Sequence, residues 1–502
     1  MTLNKKTLSI ATRFTAPISI HWLGGKGLKP NFRSIIRFCL AIIAVIAVSP
    51  LGLRAQTDSC PVPPEQTSNP PIGVLNDYIY GYAPVTLKAI RALLTAAPDA
   101  TTKPGRAPIN QFARQDKLAD PSENLIVHPN ADTLYTTAWL DLADEPIILH
   151  VPDTNGRYYL IPMLDAYSNE FASVGSRTTG NGEGNFAIVG PRWRGELPQG
   201  LSGVIQAPTN TAWLIGRTLV HCQEDLSAAL TVTTKYQLVP LSAYPKFLET
   251  CNYTPPTNVS VNPPDPDFIG LPISSSPGFS NPEIFNALAA YALRNPAPRD
   301  QEPLASLLVL DGFIHQNQLN QEIVNQARCA FIARLADSSE MQNGWSKNLN
   351  VGTYGKDYTL RGAVALFGLG ANVPADSVYA NALVDLNGNT LDGNNLYAIH
   401  FPAGQTPPVN GFWSVTVYDK ETGFLVHNPI QRYSVGSETG LVPNADGSVD
   451  ILLQSTPPSS LQSNWLPTPA KPFTLTLRLY WPAPAVLDGS WTIPGVNPVC
   501  AN

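Results

Sequence analysis

The sequence predicts a mainly β protein with two β-sandwich domains and a helical segment between them. Proline accounts for 48 of the 502 residues, well above an average share of ~5%, and it is poorly tolerated inside helices and central strands. Short apolar runs separated by turn residues fill two regions, at about 123–220 and 395–485, which is typical of sandwiches. Helical spacing of apolar residues lies between these regions.

The length allows two or three domains that each bury a core, and a hydrophobic content of 43% is that of a globular protein. We divide the chain into 1–55 (export signal or N-terminal anchor), 56–73 (proline-rich linker), 74–250 (first β-sandwich domain with an N-terminal helix), 251–280 (proline-rich loop), 281–365 (helical segment) and 366–495 (second β-sandwich domain).

The N-terminal segment is expected to direct export. It has no acidic residue before Asp58, and the apolar run Phe38 to Val48 follows several Lys and Arg residues. Eleven apolar residues are fewer than the about 20 needed to span a bilayer, but they suit the apolar part of a signal peptide. A cleaved signal with a periplasmic or extracellular protein is the first interpretation, and an uncleaved N-terminal anchor is the alternative.

Charge excludes two classes of partner. Residues 1–55 hold eight Lys and Arg, so the remaining chain has 32 − 8 = 24 basic and 38 acidic residues. A net charge near −14 argues against nucleic acid and anionic membranes, which both require a basic face. The sequence leaves a monomer and a homo-oligomer both open.

Five cysteines follow the leader, and export would permit disulfides. Cys60 and Cys500 lie near the two ends of the exported chain, and Cys222 and Cys251 bracket a loop-rich segment. These are the two pairs that we expect, although five cysteines allow other pairings.

The spacing of apolar residues predicts the individual helices and strands. Val74 to Ala97 has the apolar spacing of a helix, and the runs EPIILHVP, RYYLIPML, FAIVG, GVIQAP and TAWLIGRTLV read as strands. Asn281 and Pro282 open a helical segment as cap and first helical residue, with helices expected at 282–294, 302–314 and 317–336. The runs NLYAIHF, FWSVTVYD, SVDILLQ and FTLTLRLYWP are the strands of the second domain.

Motifs for common catalytic and cofactor sites are missing. There is no GxSxG, HExxH, P-loop or SxxK sequence, and we expect neither a metal nor a cofactor. Gly180, Gly182 and Gly184 lack the strand–helix context of a dinucleotide site and are interpreted as a hairpin turn.

The runs NADTLYTTAWLDL, EPIILHVPDTNGRYYLIPMLDAYSNEF, LYAIHF, GFWSVTVYD and LRLYWP, among others, resemble the exported proteins that pair the domains of unknown function 1254 and 1214. The resemblance covers roughly 75–495. It implies an immunoglobulin-like sandwich first, a jelly-roll-like sandwich second and a helical segment between them. The resemblance does not indicate a particular biochemical activity.

Candidate residues of the first domain each have two interpretations. Asn130, Asp132 and Tyr135 either start a strand through an Asx-turn or bind a ligand, with Asp132 as a general base. Asp165, Tyr167 and Arg177 follow on a neighbouring turn. Arg177 either holds a carboxylate or phosphate or pairs with Asp165, and Arg217 either points into a cleft or is a buried, paired arginine.

The second domain offers aromatic side chains among Asn and Arg, notably Trp413 and Arg432. Such residues suit a sugar-binding cleft, and they also suit the ends of a sandwich, where rings are buried with one polar tip satisfied.

Two functions of different class result. The first is an envelope protein that binds a carbohydrate or a small polar or anionic ligand in a cleft between the sandwiches. The alternative is an envelope hydrolase that uses Asp132 or Asp165 as acid or base, with His128 or His400 as a partner. Because no catalytic motif is present, whether the protein is an enzyme stays open.

Overall fold

The computed structural model describes residues 72–101, 105–122, 128–261, 291, 294–295 and 321–499. Within these ranges the protein is mainly β, with four sheets and with helices between the two sheet-rich regions, so the predicted fold class is confirmed. The export segment 1–55, the Cys60–Cys500 pair, the helix predicted at 302–314 and most of that at 282–294 lie outside the described residues.

The first β region folds as two sheets packed face to face. Its strands are β1 Ala113–Arg114, β2 Thr133–Asp141, β3 Ile147–Val151, β4 Tyr159–Asp165, β5 Glu170–Gly175, β6 Gly184–Val189, β7 Gly203–Gln206, β8 Thr211–Leu219 and β9 Gln237–Pro240. One sheet has the order β1-β2-β8-β4-β5 and the other β7-β6-β3-β9. Leu140, Leu149, Ile161, Leu214 and Leu238 meet between them as part of one buried core.

Glycine-containing turns connect strands of different sheets in this domain. Asn155 and Gly156 have φ values of 52° and 79°, as a tight reversal requires, yet they join β3 of one sheet to β4 of the other. The segment with Gly180, Gly182 and Gly184 likewise joins β5 to β6 across the sandwich, so the hairpin predicted there is wrong. Turn residues fix a local reversal, whereas burial of the apolar face decides which strand becomes the neighbour.

The helices of the described ranges are α1 Ile72–Leu94, α2 Leu226–Lys235, α3 Tyr244–Thr250, α4 Gln321–Ser338, α5 Tyr358–Phe367 and α6 Pro484–Leu487. Side chains of α1, α4 and α5, such as Tyr82, Phe331 and Val364, share a core with Trp213 and Ile215 of β8. The larger sheet of the first sandwich is therefore covered on both faces. This explains why every residue of β4 and β8 is buried instead of every second one.

The second sandwich contains β10 Glu340–Gln342, β11 Trp345–Lys347, β12 Ser377–Ala382, β13 Leu396–Phe401, β14 Trp413–Asp419, β15 Ser434–Gly436, β16 Val449–Gln454, β17 Trp465–Pro467, β18 Phe473–Tyr480 and β19 Val496–Val499. Its sheets have the orders β10-β11-β12-β18-β14-β15 and β17-β16-β13-β19. The strands β10 and β11 arise from the segment 281–365 that the sequence assigned to helices.

Strand β18 contacts both domains, because its successive side chains point to opposite faces of the sheet. Leu475, Leu477 and Leu479 point into the second core, while Arg478 and Tyr480 hydrogen-bond to residues 128 and 130 of the first domain. All eight residues of β18 are buried. The two sandwiches therefore pack through the polar face of a central strand, which places their strand ends along a shared cleft.

The predicted Cys222–Cys251 disulfide is wrong. Both cysteines are exposed free thiols. The segment between them folds as α2, β9 and α3, and this arrangement leaves the two thiols unbonded.

In the described part of the chain, no helix combines the length and the apolar character needed to cross a membrane.

Candidate functional site

A cleft of about 960 Å³ lies between the two sandwiches. The first domain contributes the entry to β2, the end of β8 and the loop 117–122, and the second contributes the start of β14 and the loop 427–439. Three residues that the sequence singled out line it, namely Asp132, Trp413 and Arg432. Its size is within the range of small-molecule sites.

Asp132 lies in the wall of this cleft and connects the domains. The Asn130 side chain accepts a hydrogen bond from the Asp132 amide at 2.7 Å, which is the predicted Asx-turn at the start of β2. The Asp132 carboxylate accepts hydrogen bonds from Ser414 Oγ at 2.5 Å and Ser434 Oγ at 2.7 Å. Asp132 is 9% exposed, so the carboxylate is held in place and still borders the cleft.

Arg432 and Trp413 form the opposite side. Arg432 Nη1 donates to the carbonyls of Gln462 at 2.6 Å and Trp465 at 3.0 Å, and this fixes the position of the guanidinium. Trp413 is buried and packs on Phe401 at 5.3 Å between ring centroids. Its role as a core residue is therefore evident, although one edge lines the cleft.

His221 and Glu438 form a bridge between the domains at the rim. His221 Nδ1 lies 2.5 Å from Glu438 Oε2, and both residues line the cleft. The local sequence around either residue gives no indication of this pair, because the two residues are 217 positions apart.

His128 is buried behind the cleft. Its ring packs on Tyr418 at 4.3 Å between centroids, and its carbonyl accepts from Arg478 Nη2 at 3.0 Å. Burial, and then the positive charge of Arg478, lowers the pKa of His128 to about 3. The imidazole is consequently neutral at neutral pH, and His128 is not among the residues that line the cleft.

Tyr135 and Arg217 lie side by side on β2 and β8 in the buried layer between the domains. The Arg217 guanidinium stands 5.3 Å from the Tyr135 ring centroid, and Nη1 donates to Asn372 Oδ1 at 2.9 Å. Arg217 is 2% exposed. The structure thus gives Arg217 the buried, paired environment that was one of its two interpretations.

Arg177 forms an ion pair between the domains, and its partner is not Asp165. Arg177 Nε donates to Asp376 Oδ1 at 2.6 Å, and Ser173 Oγ donates to Asp376 Oδ2 at 3.0 Å. The fully buried Asp376 also lies against Glu170, and burial, together with this second carboxylate, raises the pKa of Glu170 well above its usual range. The alternative Arg177–Asp165 pair is wrong.

Asp165 closes its own turn. Its Oδ1 accepts from the amides of Tyr167 at 2.8 Å and Asn169 at 2.9 Å. Burial raises the pKa of Asp165. Tyr167 is buried against the helices, where its hydroxyl donates to the Asn295 carbonyl at 2.9 Å. These two residues lie at a second buried cluster, around Arg361, and not at the cleft.

The structure therefore distributes the predicted residues over three places. Asp132, Trp413 and Arg432 meet at the cleft; His128, Asn130, Tyr135, Arg177 and Arg217 lie in the polar layer between the domains; Asp165 and Tyr167 lie beneath the helices. In the described ranges, no group of three or more His, Cys, Asp or Glu residues is arranged to hold a metal ion.

Comparison with known families agrees with this architecture. A family described as a protein of unknown function (DUF1254) matches residues 109–240, and another described as a protein of unknown function (DUF1214) matches residues 376–484. The chain pairs these two domains in that order. The DUF1254 match covers most of the first sandwich, and the DUF1214 match spans β12 to β18 of the second.

One solved structure with a TM-score above 0.5 supports the fold. The VPA0106 protein from Vibrio parahaemolyticus has a TM-score of 0.59 at 22% identity, over 85% of this chain and 100% of that one. An uncharacterized protein from Burkholderia cenocepacia has a TM-score of 0.42 at 15% identity, over 89% and 94% of the two chains. Among curated proteins, none matches this chain.

Proposed function

We propose that this protein is an exported envelope protein that binds a neutral, hydroxyl-rich ligand of the carbohydrate class in the cleft between its two domains. The basic N-terminal segment with its single apolar run supports export. The observation that carries the binding proposal is the cleft itself, which joins an oriented carboxylate, an oriented guanidinium and half-exposed aromatic surface.

The polar groups of the cleft suit hydroxyl groups. A sugar hydroxyl both donates and accepts, so a site for it needs acceptors and donors in fixed positions. Asp132 supplies an acceptor that two serines hold in place, and Arg432 supplies a donor that two carbonyls hold in place. Tyr433, half-buried at the same cleft, offers a flat apolar face for a sugar ring.

The charge of the cleft favours a neutral ligand over an anionic one. Four carboxylates and two permanent cations line it: Asp120, Asp132, Glu224, Glu438, Lys117 and Arg432. The chain after the leader is also strongly acidic. Because like charges repel an approaching ligand, the carbohydrate alternative is the better supported of the two ligand classes that the sequence left open.

The first test replaces Asp132 by asparagine. We expect binding of neutral oligosaccharides to weaken about 10- to 100-fold, because a hydrogen bond to a charged acceptor contributes about 1.5–3 kcal/mol. Isothermal titration calorimetry with a panel of gluco- and chito-oligosaccharides measures this. Asp450→Asn is the matched control, since Asp450 is a partly exposed carboxylate that pairs with His400 outside the cleft.

The same variants separate binding from hydrolysis. If the wild type cleaves the oligosaccharides and Asp132→Asn abolishes turnover with affinity retained, the protein is a hydrolase and Asp132 is its acid or base. If the wild type binds no neutral oligosaccharide, or if both variants lose affinity equally, the proposed site is wrong.

A further inference from the structure

A second polar site lies beneath the helices, around Arg361. This residue is on α5 and has no exposed surface. Its Nη2 donates to the Tyr80 carbonyl of α1 at 2.8 Å. Arginines that are fully buried normally pair with a carboxylate, but in the described part of the chain Arg361 forms no ion pair.

Three aromatic rings surround the guanidinium. Its Cζ lies 4.9 Å from the ring centroids of Tyr80 and Tyr358 and 5.7 Å from that of Tyr167. Such contacts attract the positive charge to the ring faces. They do not satisfy the N–H groups, which lie in the plane of the guanidinium. We call this arrangement of Arg361, Tyr80, Tyr167 and Tyr358 the Arg361 cage.

Most of the donors of Arg361 have no partner. Nε and Nη1 carry three of the five N–H groups of an arginine, and neither atom has a hydrogen bond within the described residues. Leaving a buried donor unsatisfied costs about 1–3 kcal/mol, and more for a charged group. Burial also lowers the pKa of Arg361, because it removes water from around the guanidinium.

The carboxylate of Asp165, whose charge acts on Arg361, does not remove this deficit. Asp165 is close enough to influence Arg361 electrostatically, but its carboxylate accepts hydrogen bonds from Tyr167 and Asn169 instead. The hydroxyl of Tyr354, which is also in the field of Arg361, is buried and has no hydrogen-bond partner of normal geometry among the described residues. Tyr80 supplies acceptors to the guanidinium, but the cluster still has more buried donors than acceptors.

We propose that the Arg361 cage binds a small carboxylate whose oxygens accept hydrogen bonds from Nε and Nη1 of Arg361 and from the neighbouring Tyr354 hydroxyl. A guanidinium matches the planar geometry of a carboxylate. The aromatic walls favour an acid with an apolar body, and a single negative charge is easier to desolvate here than the double charge of a phosphate. This site is separate from the proposed carbohydrate cleft, and neither depends on the other.

The test uses the full exported chain and two simple probes, sodium benzoate and sodium acetate. We expect both to raise the melting temperature of the wild type relative to sodium chloride at the same ionic strength, with a shift that grows with probe concentration. We also expect mass spectrometry of the denatured protein to show a co-purified organic acid. In Arg361→Lys, which keeps the charge but loses the planar donors, affinity should fall at least about tenfold.

Two further variants keep the test decisive. Arg334→Lys is the matched control, because Arg334 lies on the neighbouring α4 and donates to Asp357 at 2.6 and 2.8 Å in a partly exposed pair. It should bind the probes like the wild type. Tyr354→Phe removes a hydroxyl without a partner, so it should fold normally and report on the site even if Arg361→Lys does not fold.

Two results would overturn the proposal. One is a wild type that melts at the same temperature in benzoate, acetate and chloride and that releases no acid, which would mean that the donors of Arg361 face water alone. The other is a probe-induced shift of equal size in the wild type and in Arg361→Lys or, where that variant does not fold, in Tyr354→Phe.

Discussion

Replacing Arg478 by methionine is expected to lower the free energy of unfolding by about 3 kcal/mol or more, because three buried acceptors lose their donor and each unsatisfied group costs about 1–3 kcal/mol. Arg478 has no exposed surface and donates to Thr416 Oγ1 at 2.8 Å, the His128 carbonyl at 3.0 Å and the Tyr418 hydroxyl at 2.5 Å. Methionine fills much of the space but leaves all three oxygens buried without this donor. Denaturant unfolding followed by circular dichroism measures the change.

Lys420→Met is the control for this variant. The Lys420 side chain is exposed, and among the described residues its ammonium makes a single long hydrogen bond, 3.4 Å from Thr390 Oγ1, so its loss should change stability by less than about 0.5 kcal/mol. If Arg478→Met were as stable as Lys420→Met, the polar layer between the domains would not hold them together.

The second large effect concerns the buried carboxyl pair of Glu170 and Asp376. Burial and the neighbouring Asp376 raise the pKa of Glu170 above its unfolded value of 4.5. A group with a raised folded pKa contributes its full stability below the unfolded pKa and loses it as the pH rises through the folded pKa. The wild type should therefore lose stability as the pH rises from about 4.5 towards neutral.

Glu170→Gln should remove this loss. The amide has nearly the same shape and no charge, and it can donate to Asp376 while its oxygen keeps the hydrogen bond from the Val373 amide, 2.8 Å in the wild type. We expect a gain of about 1–3 kcal/mol at neutral pH, because each pH unit between 4.5 and the folded pKa of Glu170 costs the wild type about 1.4 kcal/mol, and little gain at pH 4. Melting temperatures across this pH range measure it.

Two arginines also act on the Glu170–Asp376 pair during this pH experiment. Arg177 binds Asp376, and Arg217 also acts on Glu170; both stay charged over the range. Glu322→Gln, at an exposed glutamate of α4, is the control and should leave the pH profile unchanged. A Glu170→Gln profile that matches the wild type would contradict a raised pKa of Glu170 in the folded protein.

The candidate site was only partly predictable from sequence. The Asx-turn of Asn130 and Asp132 follows from local chemistry, and the structure contains it. The hydroxyls that hold Asp132 come from Ser414 and Ser434, about three hundred residues further along the chain. Arg361, in the middle of an apolar helix, gave no signal, because its environment is built from α1, the β4–β5 turn and α5 together.

The sequence by itself determined the class of most elements, although not of β10 and β11, since periodicity and turn residues act over a few positions. It therefore predicted α1, the strands of both sandwiches and the pairing of two domains. Tertiary structure decided which strands became neighbours, which face of β18 met the first domain, and which partner each charged residue found. Those choices depend on burial summed over distant segments, and that is why Arg177 pairs with Asp376 and not with Asp165.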